Sequence, residues 1–371
     1  MKAVCPREGL LSACQVAGMA VASRDVKPIL SNLKAVAGPN GWTLLATDLE
    51  LGIRLDVRSV QVDEPGEAIL PAARLISILR EATDENLSLD AGADATMVRG
   101  EFNEFELPGE NPADFPDVPA FTDGPCHEIQ AGALREMIRR TVFAAARDNT
   151  RWAVSGVLWE ISGGQLKLVA TDSRRLAMAS TTVGGQGGDT KATPHIVPPK
   201  AMNLLDKLLQ DGGETIKVIL RPNDALFKTE RATVSTRLVE GRFPPFQELF
   251  NKKLPIKVPL DLGRFHSAVR QANIMAGDES KRVAFTFGKK KLTLQAQGHD
   301  TGRAKVEMPL DAEVKDKDGK DITINFDANF LIDMLRILPP DAALTLEMAD
   351  GNTPAVFRSG PDYVYLVMPL T

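Results

Sequence analysis

The feature that most constrains the fold is a short motif that recurs along the chain. Ala46-Thr47-Asp48 ends a run of apolar residues, and Ala170-Thr171-Asp172 ends a second such run 124 residues later. A degenerate third copy, Leu292-Thr293-Leu294-Gln295-Ala296-Gln297-Gly298-His299, follows at a comparable interval. Recurrence at a fixed interval indicates a repeat architecture. The 371-residue chain is therefore predicted to contain three repeats, each of roughly 120 residues.

Two amphipathic helices are predicted in each repeat. Apolar residues recur at intervals of three and four in six windows, which is the spacing of one buried helical face. The windows are 7–22, 71–82, 131–147, 198–210, 261–275 and 327–338. Pro71 and Pro198 are expected in first helical turns, and Asp327 is expected to cap the last helix. Alternating or apolar stretches between these windows, separated by turn residues, predict antiparallel strands.

The pattern predicts an α+β fold of three domains, with boundaries that give domains 1–125, 126–254 and 255–371. The apolar fraction of 43% is typical of a globular chain, and no apolar run approaches the length that spans a bilayer. Three cysteines without a CxxC pair indicate a reducing compartment. A cytoplasmic protein without a membrane partner is expected.

Charge is distributed unevenly between the helices and the rest of the chain. The net charge of −5 argues against a simple basic DNA-binding protein. The six helix windows hold twelve basic and seven acidic residues, so they carry +5 while the remainder carries −10. In the window 131–147, Arg139, Arg140 and Arg147 fall opposite the apolar face. Such helices can face a polyanion while the acidic surplus lies elsewhere; ordinary solvated helix faces are the alternative.

Six segments in order resemble the beta subunit of bacterial DNA polymerase III, the sliding clamp, over essentially the whole chain. They are Pro28-Ile29-Leu30-Ser31-Asn32-Leu33, Ala46-Thr47-Asp48-Leu49-Glu50, Ala113-Asp114-Phe115-Pro116, Val169-Ala170-Thr171-Asp172 with Arg175-Leu176-Ala177, Glu240-Gly241-Arg242-Phe243-Pro244, and Tyr365-Leu366-Val367-Met368-Pro369-Leu370. The resemblance implies three tandem repeats of the DNA-clamp fold, with helices lining a central hole and antiparallel sheets outside. Two protomers would join head to tail into a ring.

The resemblance also implies a function and a set of partners. The ring would encircle double-stranded DNA without reading its sequence and would act as a processivity factor. Its expected protein partners are the DNA polymerase III alpha subunit, the clamp loader, and other polymerases and repair proteins that carry clamp-binding motifs. No cofactor, no metal and no enzymatic activity are expected.

A peptide-binding pocket between the second and third domains is implied by the same resemblance. Carried over position by position, the pocket comprises Val154, Thr171, Ser173, Arg174, Arg175, Leu176, Pro244, Leu249, Leu366, Met368, Pro369 and Leu370. Taken alone, Val154 and Leu176 are more typical of a buried core. Ser173-Arg174 stands where the family usually has Gly-His, and Glu248 stands where a basic residue is common. These departures leave the peptide preference open.

The resemblance assigns residues to the ring joint and to DNA as well. It places Phe105 and Leu107 of one protomer against Ile274 and Met275 of its partner, with Arg74 nearby. The segment 102–107 alternates as an edge strand does, and an apolar edge strand needs a partner. The DNA-binding residues would be Arg24, Arg147, Arg151 and Trp152, with Asp148 lying among them.

Two other functions are open alternatives. Asp48, Glu50 and Asp172 are carboxylates of the kind that bind metal in a nuclease. Against this, aspartate after an apolar strand commonly closes a turn, and the third repeat has no matching carboxylate. No P-loop is present, and the four histidines lack ligand spacing. A peptide-binding scaffold that never meets DNA is the second alternative.

Overall fold

The computed structural model of the protein describes residues 1–22, 27–39, 41–92, 94–146, 154–188, 195–209, 213–250, 253–277, 281–298, 302–311, 313–315 and 318–370. The chain divides into two compact units. Unit 1 comprises Met1–Arg135 and Val183–Val239, and unit 2 comprises Glu136–Thr182 and Glu240–Thr371. The second predicted domain thus contributes residues to both units. The domain boundaries after residues 125 and 254 stay predictions.

Helices form in all six predicted windows, and each is shorter than its window. They are α1 (Arg7–Gly18), α2 (Ala72–Glu81), α3 (Ala131–Thr141), α4 (Pro199–Leu208), α5 (Leu262–Asn273) and α6 (Ala328–Ile337). Short 3-10 turns lie at Pro28–Ser31, Pro112–Asp114, Val142–Ala144 and Gln247–Phe250. In the window 131–147, the helix α3 ends at Thr141 because the chain tightens into the 3-10 turn at Val142–Ala144.

The beginnings of the helices follow from local chemistry. The Asp327 side chain accepts a hydrogen bond from the Asn329 backbone N–H and caps α6, as predicted. The Asp261 side chain caps α5 in the same way, by accepting from the Arg264 backbone N–H. Pro71 and Pro198 lie at the N-cap, one position before the first helical residue, and not inside the first turn.

Strands occupy most of the remaining described residues. The first ten are β1 (Lys2–Pro6), β2 (Asn32–Gly38), β3 (Gly41–Thr47), β4 (Leu51–Val57), β5 (Gln61–Glu64), β6 (Gly66–Pro71), β7 (Asn86–Ala91), β8 (Ala95–Arg99), β9 (Glu104–Pro108) and β10 (His127–Gln130). The next eight are β11 (Val157–Ser162), β12 (Gln165–Thr171), β13 (Arg175–Thr182), β14 (Gly184–Gly185), β15 (His195–Val197), β16 (Thr215–Leu220), β17 (Asp224–Lys228) and β18 (Ala232–Arg237). The last eight are β19 (Ile256–Leu260), β20 (Arg282–Gly288), β21 (Lys291–Gly298), β22 (Gly302–Pro309), β23 (Ile322–Asp327), β24 (Leu344–Met348), β25 (Ala355–Ser359) and β26 (Tyr363–Val367).

Unit 1 contains two antiparallel sheets. The smaller has the strand order β5-β1-β7-β8-β9, and the larger has the order β14-β10-β16-β17-β18-β4-β3-β2-β6. Within the larger sheet, β4 of the first repeat pairs with β18 of the second, so that Leu51 lies opposite Thr236. Two repeats therefore share one continuous sheet.

Unit 2 is built in the same manner. One sheet contains strands in the order β11-β12-β13-β26-β25-β24-β19, and a second has the order β22-β21-β20-β23. Here β13 of the second repeat pairs with β26 of the third, and Leu176 lies opposite Leu366. The predicted antiparallel strands and the mixture of helices and sheets are confirmed.

Packing of apolar faces holds each unit together. In unit 2, Phe265 of α5 contacts Phe285 and Phe357, and Phe326 contacts the same two rings, with ring centroids 5.3–6.4 Å apart. All four rings are almost completely buried, and such aromatic pairs stabilise beyond the area they bury. In the residues that the structure describes, no helix is both long and apolar enough to span a membrane.

Candidate functional site

The repeated Ala-Thr-Asp motif forms the turn that precedes the proposed pocket. The Thr171 hydroxyl donates to the Arg175 carbonyl oxygen at 2.6 Å and accepts from the Ser173 backbone N–H at 3.1 Å. The Asp172 carboxylate accepts from the backbone N–H groups of Arg174 and Arg175, both at 3.0 Å. These bonds hold Ser173 in the left-handed region, with φ at 75°. The motif recurs because threonine and aspartate fix this turn.

The first repeat builds the same turn with the same bonds. The Thr47 hydroxyl donates to the Leu51 carbonyl oxygen at 2.9 Å and accepts from the Leu49 backbone N–H at 2.9 Å. Asp48 accepts from the backbone N–H groups of Glu50 and Leu51, and Leu49 has φ at 76°. Asp48 and Asp172 therefore both close a turn by accepting backbone hydrogen bonds. This is the structural role that the sequence analysis set against metal binding.

The C-terminal segment is fixed against this turn in unit 2. Beyond the β13–β26 pairing, the Met368 backbone N–H donates to the Arg174 carbonyl oxygen at 2.8 Å. The Leu370 backbone N–H donates to the Asn325 carbonyl oxygen of β23, also at 2.8 Å. Residues 368–370 consequently lie beside the turn at Ser173 in a defined conformation.

Arg175 is the buried centre of the site. Its guanidinium donates to the Asp172 carboxylate at 2.9 Å, to the Asp333 carboxylate at 2.8 Å and to the Phe143 carbonyl oxygen at 3.0 Å. It also lies 4.5 Å from the ring centroid of Phe330. A buried guanidinium with this many partners is well compensated and rigid.

The electrostatics around Arg175 keep its charge. Burial alone would lower the pKa of Arg175, whereas its hydrogen bond with Asp333 and the negative charge of Asp172 raise that pKa, so the guanidinium stays protonated. Burial raises the pKa of Tyr365, so its hydroxyl stays neutral and donates to the Phe330 carbonyl oxygen at 2.8 Å. The sequence analysis assigned no role in the site to Phe143, Phe330 or Asp333. For Asp333, the sequence offers one indication of a buried partner: it is an acidic residue among the apolar positions of the predicted helix 327–338.

Burial divides the predicted pocket residues into two groups. Val154, Thr171, Arg175, Leu176 and Leu366 are buried, with no more than 8% of their surface exposed. Ser173, Arg174 and Met368 are exposed, and Pro369 and Leu370 are half-buried. We call these last five residues the C-terminal surface. The buried residues support this surface from beneath and do not themselves present area to a ligand.

Pro244 and Leu249 lie apart from these contacts in the sequence. Both are half-buried; Pro244 follows Phe243, and Leu249 is in the turn Gln247–Phe250, whose neighbouring Glu248 is exposed. Phe243 and Phe246 pack edge to face, with their ring centroids 6.2 Å apart. The assignment of Pro244 and Leu249 to the pocket stays a prediction.

The equivalent surface of unit 1 has a different chemistry. The Arg237 backbone N–H donates to the Glu50 carbonyl oxygen at 2.8 Å, so Arg237 occupies the place that Met368 has in unit 2. The Arg237 and Glu50 side chains form an ion pair at 3.5 Å, and Lys200 binds the Asp48 carboxylate at 2.5 Å. Ion pairs thus cover the turn where unit 2 exposes a methionine.

The predicted ring-joint residues have different exposures. Ile274 ends α5 with 71% of its surface exposed, and Phe105 of β9 is 37% exposed. Arg74 is exposed on α2, and Met275 is half-buried. Leu107 is 3% exposed because it faces the core of its own sheet. Leu107 therefore supports β9 from within, and Phe105 and Ile274 are the accessible apolar residues.

The four predicted DNA-binding residues, Arg24, Arg147, Arg151 and Trp152, lie outside the described residues. Several basic residues of the helices are engaged within the chain. Arg7 donates to backbone carbonyl oxygens, Arg135 pairs with Asp206, and Arg140 pairs with Glu136. The exposed basic residues on the helices include Arg74, Arg80, Lys207, Arg264 and Arg270. In the described ranges, no group of three or more His, Cys, Asp or Glu side chains has an arrangement that could hold a metal ion.

Comparison with known proteins identifies the family. The family models for the N-terminal, central and C-terminal domains of the DNA polymerase III beta subunit match residues 1–119, 128–245 and 247–371. The beta sliding clamp of Synechocystis sp. is 28% identical, over 100% of this chain and 99% of that protein.

Solved structures agree with the family models. The sliding clamp of Pseudomonas aeruginosa bound to griselimycin is 26% identical with a TM-score of 0.87, over 100% of this chain and 99% of that one. The sliding clamp of Bacillus subtilis, at 23% identity, shares the fold with a TM-score of 0.89, over 100% of this chain and 99% of that one. The chain therefore belongs to the DNA polymerase III beta-subunit family, and its function is that of a sliding clamp.

Proposed function

We propose that two copies of this chain join head to tail into a closed ring around double-stranded DNA. Retention would be topological, so it would need no base-specific contacts and no strongly basic protein, which agrees with the net charge of −5. The exposed side chains of Phe105 and Ile274 support the joint, because apolar groups of this size gain from burial against a partner. The repeats 1–125, 126–254 and 255–371 would each contribute two helices to the inner wall.

The exposed basic side chains of the helices would contact the DNA backbone. Helices from all three repeats carry exposed basic side chains: Arg80, Lys207, Arg264 and Arg270. Contacts to phosphate oxygens position a duplex without specifying its sequence. Arg24, Arg147, Arg151 and Trp152 are proposed as further contacts to DNA.

We also propose that the C-terminal surface binds short peptide segments of other proteins. The expected partners are the DNA polymerase III alpha subunit, the clamp loader, and other polymerases and repair proteins with clamp-binding motifs. The exposure of Met368 beside a turn fixed by backbone hydrogen bonds carries this proposal, because a rigid apolar surface binds a peptide at low entropic cost. The griselimycin complex supports it, since that related clamp binds a ligand.

No catalytic role is proposed. Asp48 and Asp172 are the strongest candidates for metal-binding carboxylates, and both already accept backbone hydrogen bonds within their turns. Lys200 and Arg175 also bind these two carboxylates. A carboxylate with such partners has little capacity left for a cation.

The replacement Met368→Ala is expected to weaken peptide binding. Loss of an accessible apolar anchor costs about 1.5 kcal/mol, which corresponds to a roughly tenfold weaker affinity. Isothermal titration calorimetry with a synthetic peptide from the DNA polymerase III alpha subunit measures this directly. The backbone hydrogen bond from residue 368 to Arg174 should remain, so the fold should not change.

Arg237→Ala is the matched control, because Arg237 has the same backbone position in unit 1. Its peptide affinity should equal that of the wild type. Equal affinity of the Met368→Ala protein and the wild type would refute the assignment of Met368 to the peptide site, whereas a loss in both variants would point to a surface in unit 1.

A further inference from the structure

Arg174 gives the C-terminal surface a positive charge without a counter-charge among the described residues. Its side chain is exposed and has no ion-pair or hydrogen-bond partner in the ranges that the structure describes. The acidic residue nearest to it in the chain is Asp172. That carboxylate is bound by the Arg175 guanidinium at 2.9 Å and by two backbone N–H groups. A counter-charge for Arg174 must therefore come from solvent ions or from a ligand.

The equivalent residue of unit 1 has its counter-charge within the chain. The two turns correspond residue by residue, so Glu50 follows Leu49 as Arg174 follows Ser173. Glu50 lies opposite Arg237, and their side chains pair at 3.5 Å. In unit 2, an uncharged methionine occupies the position opposite. Unit 2 therefore presents one charge of such a cross-strand pair without the other.

Arg174 and Met368 are neighbours on this surface. In the ladder between β13 and β26, Arg175 lies opposite Val367. The next pair is Arg174 with Met368, whose backbone N–H donates to the Arg174 carbonyl oxygen at 2.8 Å. Residues directly opposite in an antiparallel pair have Cβ atoms about 5 Å apart. Both side chains are exposed, so a peptide residue that covers Met368 would bring the next residue of the peptide within reach of the guanidinium.

Ser173 adds a second hydrogen-bond donor beside Arg174. Its φ of 75° is in the left-handed region, which glycine adopts more readily than serine. Ser173 is exposed, and its hydroxyl has no hydrogen-bond partner among the described residues. Strained residues of this kind cluster at ligand-binding sites. A hydroxyl and a guanidinium on adjacent residues can both donate to one carboxylate.

We propose that Ser173 and Arg174 make the C-terminal surface selective for peptides with an acidic residue next to the apolar residue that covers Met368. The inference rests on the proposed peptide site and adds a preference to it. An aspartate or glutamate of the peptide would accept from the guanidinium and the hydroxyl. It would supply the counter-charge that unit 1 provides from its own chain. Charge-assisted hydrogen bonds of this kind are stronger than those between neutral groups.

Calorimetric titration with paired peptides tests the preference. The starting peptide is the synthetic segment of the DNA polymerase III alpha subunit. Each residue outside its apolar anchors is replaced in turn by aspartate and by asparagine, which has the same shape without the charge. At a position next to an anchor, the wild-type protein should bind the aspartate peptide about fivefold more tightly, the upper range for an exposed ion pair. This ratio should fall as salt rises, because salt screens exposed charges.

Substitutions at the two residues assign the preference. Arg174→Met should bind the aspartate and asparagine peptides equally, whereas Arg174→Lys keeps the charge and should retain a ratio of about threefold. Ser173→Gly keeps the turn, because glycine adopts positive φ readily, and should lower the ratio to about threefold. Arg237→Ala also removes an exposed positive charge and should keep the wild-type ratio. The Tm of each variant checks that it is folded.

The outcomes separate this preference from the peptide site itself. Failure of every peptide to bind would overturn the proposed site and this inference with it. Binding that depends on Met368 but is equal for aspartate and asparagine at every position would overturn only the preference. A preference that is unchanged in a folded Arg174→Met protein would overturn its assignment to Arg174.

Discussion

Replacement of Ile274 by aspartate is expected to convert the proposed homodimer into monomers. Ile274 ends α5 with 71% of its surface exposed, so the substitution adds a charge at a solvated position of the single protomer. In the proposed ring the same residue is buried against Phe105 of the partner subunit. A charge buried there without a partner costs several kcal/mol, and it occurs at both joints. A dissociation constant raised by at least about a hundredfold follows.

Sedimentation velocity at micromolar concentration measures this change. Leu49→Asp is the matched control, because Leu49 is another exposed apolar residue, in the turn between β3 and β4, whose sheet does not contain β9. Aspartate tolerates the left-handed conformation of that position, so the control should remain folded and dimeric. If Ile274→Asp sediments as a dimer with wild-type affinity, Ile274 does not belong to the joint.

Replacement of Arg175 by methionine is expected to destabilise the protein strongly. Arg175 is 8% exposed and donates to two carboxylates and one carbonyl oxygen. The methionine fills part of the volume but removes the cation that binds the Asp172 carboxylate and leaves Asp333 with only the more distant Arg336, at 3.8 Å. Removal of one partner from a buried ionic network costs about 3–5 kcal/mol. The Tm measured by calorimetry should fall by roughly 5 °C or more.

Arg174→Met controls for the loss of positive charge. Arg174 is the adjacent residue, and its side chain is exposed. Its backbone carbonyl oxygen, which accepts from the Met368 N–H, is unchanged by the substitution. The Tm of this variant should match the wild type. Equal Tm values for Arg175→Met and the wild type would show that the network around Arg175 does not stabilise the fold.

Local patterns predicted the elements of the fold well. The apolar spacing located all six helices, and Asp327 caps α6 as its position suggested. Helix positions and helix caps depend on residues that are close together in the chain, so the sequence alone can predict them. The ends of the helices were less predictable, because a turn such as Val142–Ala144 has helical composition but tighter hydrogen bonding.

Long-range pairing was not visible in the sequence. The pairing of β4 with β18 and of β13 with β26 joins strands from different repeats, and no local pattern encodes a partner so distant. The Arg175–Asp333 contact, which spans 158 positions, is another example. For the same reason, the resemblance alone could not separate the buried Leu176 and Leu107 from accessible residues such as Met368.

Retention on circular DNA tests the sliding-clamp function most directly. The protein is first placed on a nicked circular duplex by its clamp loader and then separated from free protein by gel filtration at moderate salt. A closed ring should remain on the circle and should leave as soon as a restriction enzyme linearises the DNA. Binding to a short linear duplex should be weak and should fall as salt rises. Equal retention on circular and linear DNA, or tight sequence-dependent binding to a short duplex, would contradict topological binding.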